Sequence, residues 1–133
     1  MVKGGHIQLI STKKNKKLVV DFFTLAFVDK KVEEAFNKYV SDNYIQHDPN
    51  FGDKKSTIES LTKLCSNPQM EVSIKRVIAE NDLVVLHIHS KNSPEDLGVA
   101  IIEIFRVDEG KVVEHWCAMQ SVPETSANNN TMF

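Results

Sequence analysis

Ionisable side chains recur at alternate positions in the strands predicted for the second half of the chain. His115 and Cys117 lie two residues apart in one apolar segment, and so do His87 and His89 in another. Because successive side chains of a strand point to opposite faces, residues two apart share a face. Glu103 lies in a third apolar strand, where a half-buried sheet normally carries an apolar residue. We therefore predict that these five side chains converge in one polar-lined cavity.

Imidazoles and a carboxylate in such a cavity suit proton transfer at a carbon next to a carbonyl group. Imidazole is the side chain with a pKa nearest neutrality, and a carboxylate partner stabilises its charged form. A positioned pair of this kind can move a proton to and from an enolisable carbon. The simpler interpretation makes each histidine a hydrogen-bonded core residue. The concentration of ionisable groups favours a shared pocket, which His47 and Tyr44 would reach from the loop after the second helix.

Two other chemistries are open to the same residues. His87 and His89 could ligate a metal ion, with Glu103, His115 or Cys117 completing the shell. A Cys117 thiolate beside His115 could act as a nucleophile, although a free cysteine in a strand is more often a small apolar residue. The favoured interpretation involves neither a metal nor a cofactor. The sequence contains no glycine-rich phosphate loop, zinc-finger spacing or serine nucleophile elbow.

Length and composition are typical of one globular domain. The 133 residues are 41% hydrophobic and 26% charged, with a formal net charge of -2. This balance gives no basic footprint for nucleic acid or for an anionic membrane, and no segment approaches the roughly 18 apolar residues of a membrane span. The two cysteines fall in different predicted elements, and the N-terminus lacks an apolar signal core. We therefore expect a reduced, cytoplasmic protein without a nucleic-acid or membrane partner.

The elements that must position these residues fall into two blocks. Apolar residues recur at three- and four-residue spacing in three segments of the first half, which predicts three helices. From Met70 the period changes to two, which predicts four strands separated by short turns and one loop. This order predicts an α+β domain of residues 1–133, with three N-terminal helices packed on a curved four-stranded antiparallel sheet. Residues 1–11 and 124–133 are predicted to be loosely ordered tails.

The alternation also predicts two sheet faces of different character. One face would carry the ionisable groups together with Phe105 and Met119. The other face would be almost wholly apolar, with Val84, Leu86, Ile88, Ile102, Ile104 and Trp116. Such a face is too apolar to meet water over a broad area. If the helices cover the first face, the second would meet another copy of the chain, so we predict a homodimer formed through the sheet.

Four segments carry a likeness to known proteins: Tyr44-Ile45-Gln46-His47-Asp48-Pro49, residues 79–84 followed by His87 and His89, Ile104-Phe105-Arg106, and Val113-Glu114-His115-Trp116. Together with the tail at 123–133, they resemble the SnoaL-like polyketide cyclase family over nearly the whole chain. The resemblance implies the cone-shaped, cystatin-like fold of the nuclear-transport-factor-like superfamily. In that fold a curved antiparallel sheet wraps around helices and encloses a pocket.

The resemblance also implies an activity. The best-characterised members of that family catalyse an intramolecular aldol condensation without metal or cofactor, and a carboxylate on the last strand acts as general acid and base. The family motif is similar to Glu-His-Trp-Asp, and its Asp falls at Cys117 here. An aspartic acid titrates near pH ~4 and a thiol near ~8.5, so Cys117 does not simply inherit that role. Glu103 could supply the missing carboxylate.

Two functional classes follow from these observations. As a cofactor-independent cyclase, aldol-condensation enzyme or isomerase, the protein would use His115, Cys117 and Glu103 on a small hydrophobic carbonyl compound. The residues expected to bind that compound are Tyr44, His47, His87, His89, Phe105 and Met119. As a noncatalytic binding module, the same pocket would hold a ligand without turnover. The cysteine in place of the family's aspartate favours this second interpretation.

Overall fold

The computed structural model describes residues 2–133, with side chains from residue 11 onward. Its three helices are α1 (Val2–Phe23), which a π-helical turn at Thr24–Val28 continues, α2 (Val32–Tyr39) and α3 (Lys54–Cys65). The backbone of residues 2–11, predicted to be a loose tail, forms the first turns of α1. Met1, part of the same predicted tail, lies outside the described residues.

The start of α3 shows how a short polar segment fixes a helix end. The sequence Ser56-Thr57-Ile58-Glu59 predicts a cap at Ser56, but the cap is Asp53, three residues earlier. The Asp53 carboxylate accepts a hydrogen bond from the backbone N–H of Ser56 at 2.9 Å. This bond satisfies one of the donors that a helix N-terminus leaves unpaired. The helix therefore begins at Lys54, directly after its cap.

The sheet has five strands, one more than the four predicted. They are β1 (Val40–Gln46), β2 (Glu71–Glu80), β3 (Leu83–Lys91), β4 (Val99–Asp108) and β5 (Lys111–Ser121). Their order is β1-β5-β4-β3-β2, and β2 to β5 form the predicted antiparallel meander. The additional strand, β1, pairs in parallel with β5 and sets Gln46 beside His115. Its sequence alternates weakly because it is an edge strand with few buried residues.

The register of β3 corrects the predicted division of the sheet into faces. Leu86 lies opposite Glu103, and Glu103 lies opposite Cys117. Directly opposed residues of antiparallel strands share a face, so Leu86, and not its neighbour His87, is on the side of Glu103. The assignment of His87 and His89 to that side is wrong by one residue. Apolar residues occur at both odd and even positions of β3, so alternation alone does not show which of them face the helices.

The core fills the concave side of the sheet. Val84, Leu86 and Ile88, predicted for the outer face, are fully buried beneath the helices. The ring of Phe22 packs edge-on against Phe36, with centroids 5.2 Å apart, and a similar contact joins Phe22 to a ring of β4. Aromatic pairs in this geometry add about 0.5–1.5 kcal/mol each beyond the area they bury. The helices are thus fixed over one face of the sheet.

The convex face stays partly apolar in the structure. Cross-strand pairing places Val85, Ile104 and Trp116 in one row across it, and Ile102 in the next row. Ile102 is 39% exposed. The predicted homodimer would cover this face and stays a prediction. None of the helices among the described residues is long and apolar enough to cross a membrane.

Candidate active site

A cavity of about 130 Å³ lies between the helices and the concave side of the sheet. Most of its wall is aromatic and aliphatic, and three residues predicted to bind the ligand, Tyr44, Phe105 and Met119, line it. Its polar wall residues include the hydroxyl groups of Tyr44, Thr57 and Ser90 and the side chains of Gln46, Asp48, Glu103, His115 and Cys117. A mostly apolar cavity with a few convergent polar groups is typical of a small-molecule site.

The central polar contact joins His115 on β5 to Glu103 on β4. The Nε2 atom of His115 contacts the Oε2 atom of Glu103 directly. Both side chains are largely buried, at 11% and 14% exposure. The Phe105 ring, opposite His115 in the sheet, lies against the imidazole with centroids 4.9 Å apart. Low exposure and an aromatic neighbour strengthen the attraction between imidazole and carboxylate, because little water screens it.

Gln46 determines which nitrogen of His115 carries a fixed hydrogen. Its Oε1 atom accepts a hydrogen bond from the backbone N–H of Asp48 at 2.9 Å, so this end of the amide is an acceptor. The same oxygen lies 2.7 Å from Nδ1 of His115, which must therefore donate. The remaining ring nitrogen, Nε2, is the one that faces Glu103. A hydrogen bond between Nε2 and the carboxylate therefore needs a proton on one of these two groups.

The other end of the Gln46 amide anchors the site to α3. Its Nε2 atom donates to the Tyr44 hydroxyl at 3.1 Å, and Tyr44 donates to the Thr57 hydroxyl at 3.1 Å. Thr57 in turn donates to the backbone carbonyl of Asp53 at 2.7 Å. Each hydroxyl accepts one bond and donates the next, so the chain runs in one direction. A chain of this kind holds the imidazole orientation through polarised, cooperative bonds.

Cys117 is a neutral thiol in this environment. Burial raises the pKa of the Cys117 thiol, and the negative charges of Glu103 and Asp48 and hydrogen bonds to these carboxylates raise it further. All of these effects oppose a thiolate, which a nucleophilic cysteine requires. As a neutral thiol, Cys117 can serve only as a weak hydrogen-bond donor or acceptor. Its pKa argues against the nucleophilic role that the sequence left open.

Asp48 is a cavity residue that the sequence analysis does not single out. It is only 4% exposed, and its Oδ1 atom accepts bonds from the backbone N–H and the side-chain amide of Asn50, at 2.9 and 3.0 Å. The segment 43–49 is predicted to be irregular, which hides the signal. Gln46 and Asp48 are two residues apart, the spacing that puts residues of an extended segment on one face. A strand predicted to run through residue 48 would place both side chains on the same face of the sheet.

Comparison with known proteins identifies the family of this chain. The sequence profile of the SnoaL-like polyketide cyclase family matches residues 17–124. The chain belongs to this family. No curated protein matches this SnoaL-like chain significantly. The family assignment therefore rests on the profile, and the structural neighbours described next agree with its fold.

Solved structures similar to this SnoaL-like chain share its fold at low sequence identity. A candidate polyketide cyclase from Acidithiobacillus ferrooxidans is 20% identical, with a TM-score of 0.66 over 80% of this chain and 87% of that one. TsrD from Streptomyces laurentii is 15% identical, with a TM-score of 0.65 over 80% and 88%. An epoxide hydrolase of M. tuberculosis, described as LEH-like, is 17% identical, with a TM-score of 0.64 over 83% and 85%. These likenesses establish the nuclear-transport-factor-like α+β fold.

Two histidines predicted for the cavity lie on the convex face of this SnoaL-like domain. His87 accepts a hydrogen bond at Nδ1 from the Arg76 guanidinium at 3.0 Å. His89 donates from Nε2 to the carbonyl of Leu97 at 2.8 Å. Both imidazoles stack on Phe133, with centroids 5.5 and 4.0 Å away. Their predicted place beside Glu103 is therefore wrong, because the phase of β3 turns them away from the cavity.

His47 is also outside the cavity. Its ring stacks on Trp116 with centroids 4.9 Å apart and planes 3° from parallel. Its Nε2 atom lies 2.7 Å from the Glu114 carboxylate, and Arg106 bonds the other oxygen of the same carboxylate at 2.8 Å. The prediction that His47 reaches the pocket is wrong, because His47 follows Gln46 and an extended chain turns neighbouring side chains to opposite sides.

The metal interpretation has no complete ligand set, because His87 and His89 lie outside the cavity. His87 and His89 are on the far side of the sheet from Glu103 and Cys117. Among the side chains that the structure describes, no group of three or more histidine, cysteine, aspartate or glutamate residues is arranged to hold a metal ion. The acid–base interpretation keeps its central pair.

Proposed function

We propose that this SnoaL-like protein is a cofactor-independent enzyme of the cyclase or isomerase type. It would act by general acid–base chemistry on a small hydrophobic carbonyl compound. The observation that carries the proposal is the buried contact between Glu103 and His115, which faces an apolar cavity. Gln46 supports it by fixing the hydrogen on Nδ1, so that the exchangeable proton is confined to the contact with Glu103.

The proposed reaction uses this pair as a proton carrier. Glu103, as carboxylate beside the His115 imidazolium, accepts a proton from the carbon next to the carbonyl group. The electron pair of the broken C–H bond forms an enolate, and the proton now on Glu103 is returned in the next step. If the enolate is conjugated with a carbon–carbon double bond, return of the proton to the far end of that bond gives an isomerisation. Attack of the enolate on a second carbonyl, followed by return of the proton to the new alkoxide, gives the β-hydroxy carbonyl product of an aldol reaction.

The apolar part of the site would hold the rest of the substrate. Phe105 on β4, Met119 on β5 and Tyr44 on β1 form part of the wall. A wall of this kind removes water from the reacting atoms and strengthens the interactions of the acid–base pair. Cys117, at the position of the family's aspartate, would contribute a hydrogen-bond donor and not a base. Membership of the SnoaL-like family supports this general chemistry.

Exchange of deuterium at the carbon next to the carbonyl tests the proposal. Wild type should accelerate exchange on at least one member of a panel of small enolisable ketones. Glu103→Gln should lower the rate by about 100-fold or more, the usual contribution of a positioned acid–base group. His87→Ala is the matched control, because His87 is an imidazole on the opposite face of the sheet. A similar loss in both variants would contradict the proposal.

A second candidate function is ligand binding without turnover. The observation that favours it is Cys117, a neutral thiol where the family's general acid–base carboxylate is expected. Under this alternative, wild type binds ketones but does not exchange them, and Cys117→Asp introduces exchange. If His115→Ala abolishes exchange already present in wild type, the enzyme interpretation stands.

We also propose that two copies associate through the convex face and that the protein works in the cytoplasm. The exposed apolar residues of this face, among them Ile102, support the first proposal. Light scattering at micromolar concentration tests it with Ile102→Lys, which should shift the protein from dimer to monomer. A wild-type mass equal to one chain would contradict it. Fractionation of cells tests the location.

A further inference from the structure

The volume of the cavity limits the size of its occupant. It measures about 130 Å³, and a cavity of about 150 Å³ engineered in another protein holds one benzene molecule. Aromatic side chains close much of the wall: Phe22, Phe23, Phe36, Tyr44, Phe51 and Phe105. Packed interiors resist the insertion of extra groups, so a fused ring system would have to displace these rings. One six-membered ring fills a volume of this size.

The charges in the wall exclude one class of occupant. Asp48 and Glu103 line the cavity, and no lysine or arginine lines it in the described part of the chain. Burial and these two carboxylates already act against an anion at Cys117, whose pKa they raise. An anionic ligand would meet the same loss of hydration and the same repulsion. Carboxylates and phosphates are therefore poor ligands for this cavity.

Organic cations are disfavoured for a different reason. Glu103 is already in contact with the His115 imidazole. Asp48 accepts two bonds from Asn50, both at its Oδ1 atom. Among the described side chains, every buried nitrogen or oxygen has a hydrogen-bond partner. An ammonium group would therefore lose its hydration and would have to compete with His115 and Asn50 for these carboxylates.

From these limits we propose that the cavity takes an uncharged monocyclic ketone or aldehyde and rejects fused-ring compounds. The identity of the polar group rests on the proposed function, because it places the carbonyl beside Glu103 and His115. The ring would lie among the phenylalanines of the helices. Size and charge are properties of the cavity itself and hold whether or not the bound compound reacts.

A matched ligand series tests the proposal with the full chain. Cyclohexanone, cyclohexylammonium and cyclohexanecarboxylate share a ring but differ in charge, and 1-tetralone adds a second ring to the ketone. Binding is measured by ligand-observed NMR titration, and deuterium exchange is followed on the two ketones in the same samples. Cyclohexanone should bind. Each of the other three compounds should bind at least about tenfold more weakly, which corresponds to about 1.4 kcal/mol of binding free energy.

Two variants test the causes separately. Asp48→Asn removes one negative charge from the wall, so cyclohexanecarboxylate should gain about threefold or more relative to cyclohexanone. Met70→Ala enlarges the cavity at a buried wall residue, so 1-tetralone should gain relative to cyclohexanone. Met132→Ala is the control, because Met132 is outside the wall. The wild-type series decides the proposal by itself if Met70→Ala does not fold.

The outcomes separate this inference from the proposed function. Binding of cyclohexanone without exchange would overturn the proposed enzyme but leave the ligand class intact. Equal affinity for cyclohexanecarboxylate, cyclohexylammonium or 1-tetralone would overturn the ligand class, whatever the exchange rates show. Failure of cyclohexanone to bind at millimolar concentration would also overturn it.

Discussion

Replacement of Gln46 by methionine should both destabilise the protein and release the imidazole of His115. Methionine keeps the length of the side chain but removes the Oε1 acceptor. Two donors then lose their partner, the Nδ1–H of His115 at 2.7 Å and the backbone N–H of Asp48 at 2.9 Å. These residues are 9% and 4% exposed, so water replaces the lost acceptor poorly.

The expected loss of stability follows from the two hydrogen-bond donors that lose their acceptor. A buried donor left without an acceptor costs about 1–3 kcal/mol. Gln46 itself is half-buried, and water reaches part of the site, so we expect about 2–4 kcal/mol for the two donors together. Urea unfolding of both proteins measures the difference directly. Gln120→Met, an exposed glutamine on the last strand, should change stability by less than about 0.5 kcal/mol.

Nitrogen-15 NMR of the histidine rings supplies the second measurement. In wild type, the hydrogen on Nδ1 of His115 should exchange slowly with solvent and give a directly bonded N–H signal. In Gln46→Met that signal should broaden or vanish, because no acceptor holds the hydrogen there. Retention of the signal, together with a stability change no larger than that of Gln120→Met, would refute the orientation assigned to the site.

Three further results are expected. The thiols of Cys117 and Cys65 should react slowly with a disulfide reagent at pH 8 and quickly after unfolding, because burial raises the pKa of both thiols; rapid reaction of the folded protein would contradict this. Leu86→Ala should cost about 2–5 kcal/mol and Leu97→Ala far less in urea unfolding, because Leu86 is fully buried and Leu97 is 48% exposed. Hydrogen bonds from His47 and Arg106 lower the pKa of Glu114 below its ordinary value of 4.5, so its contribution is present above that pH and is lost as acid protonates it; Glu114→Gln should weaken this acid dependence, and an unchanged pH profile between 3 and 6 would oppose it.

The fold was predictable where the periodicity had one interpretation. Helical spacing around Phe22 and alternation after Met70 predicted the helices, the four strands of the meander and their α+β arrangement. The sequence does not predict β1, because an edge strand with few buried residues carries little alternation. Its partner, β5, is distant in sequence, and a parallel pairing of this kind leaves no hairpin signal between the two strands.

The site was predictable only on the strands whose phase was unambiguous. Glu103, His115 and Cys117 come together because β4 and β5 place them on the concave side. The side to which each β3 residue points depends on packing beneath the helices, which local alternation does not report, so alternation alone predicts the wrong side for His87. The sequence does not indicate Asp48 as a site residue, because its position depends on the extended chain after β1 and on a hydrogen bond from Asn50 in the loop.

The bonds that run from Gln46 through Tyr44 and Thr57 tie the first turn of α3 to the imidazole. The same helix supplies Leu61 to the wall of the cavity. A guest wide enough to push α3 outward would therefore stretch this chain and tilt the ring of His115. A poor fit in the apolar part of the cavity would then also misalign the acid–base pair. The fold would therefore disfavour an oversized ligand both in binding and in any reaction at that pair.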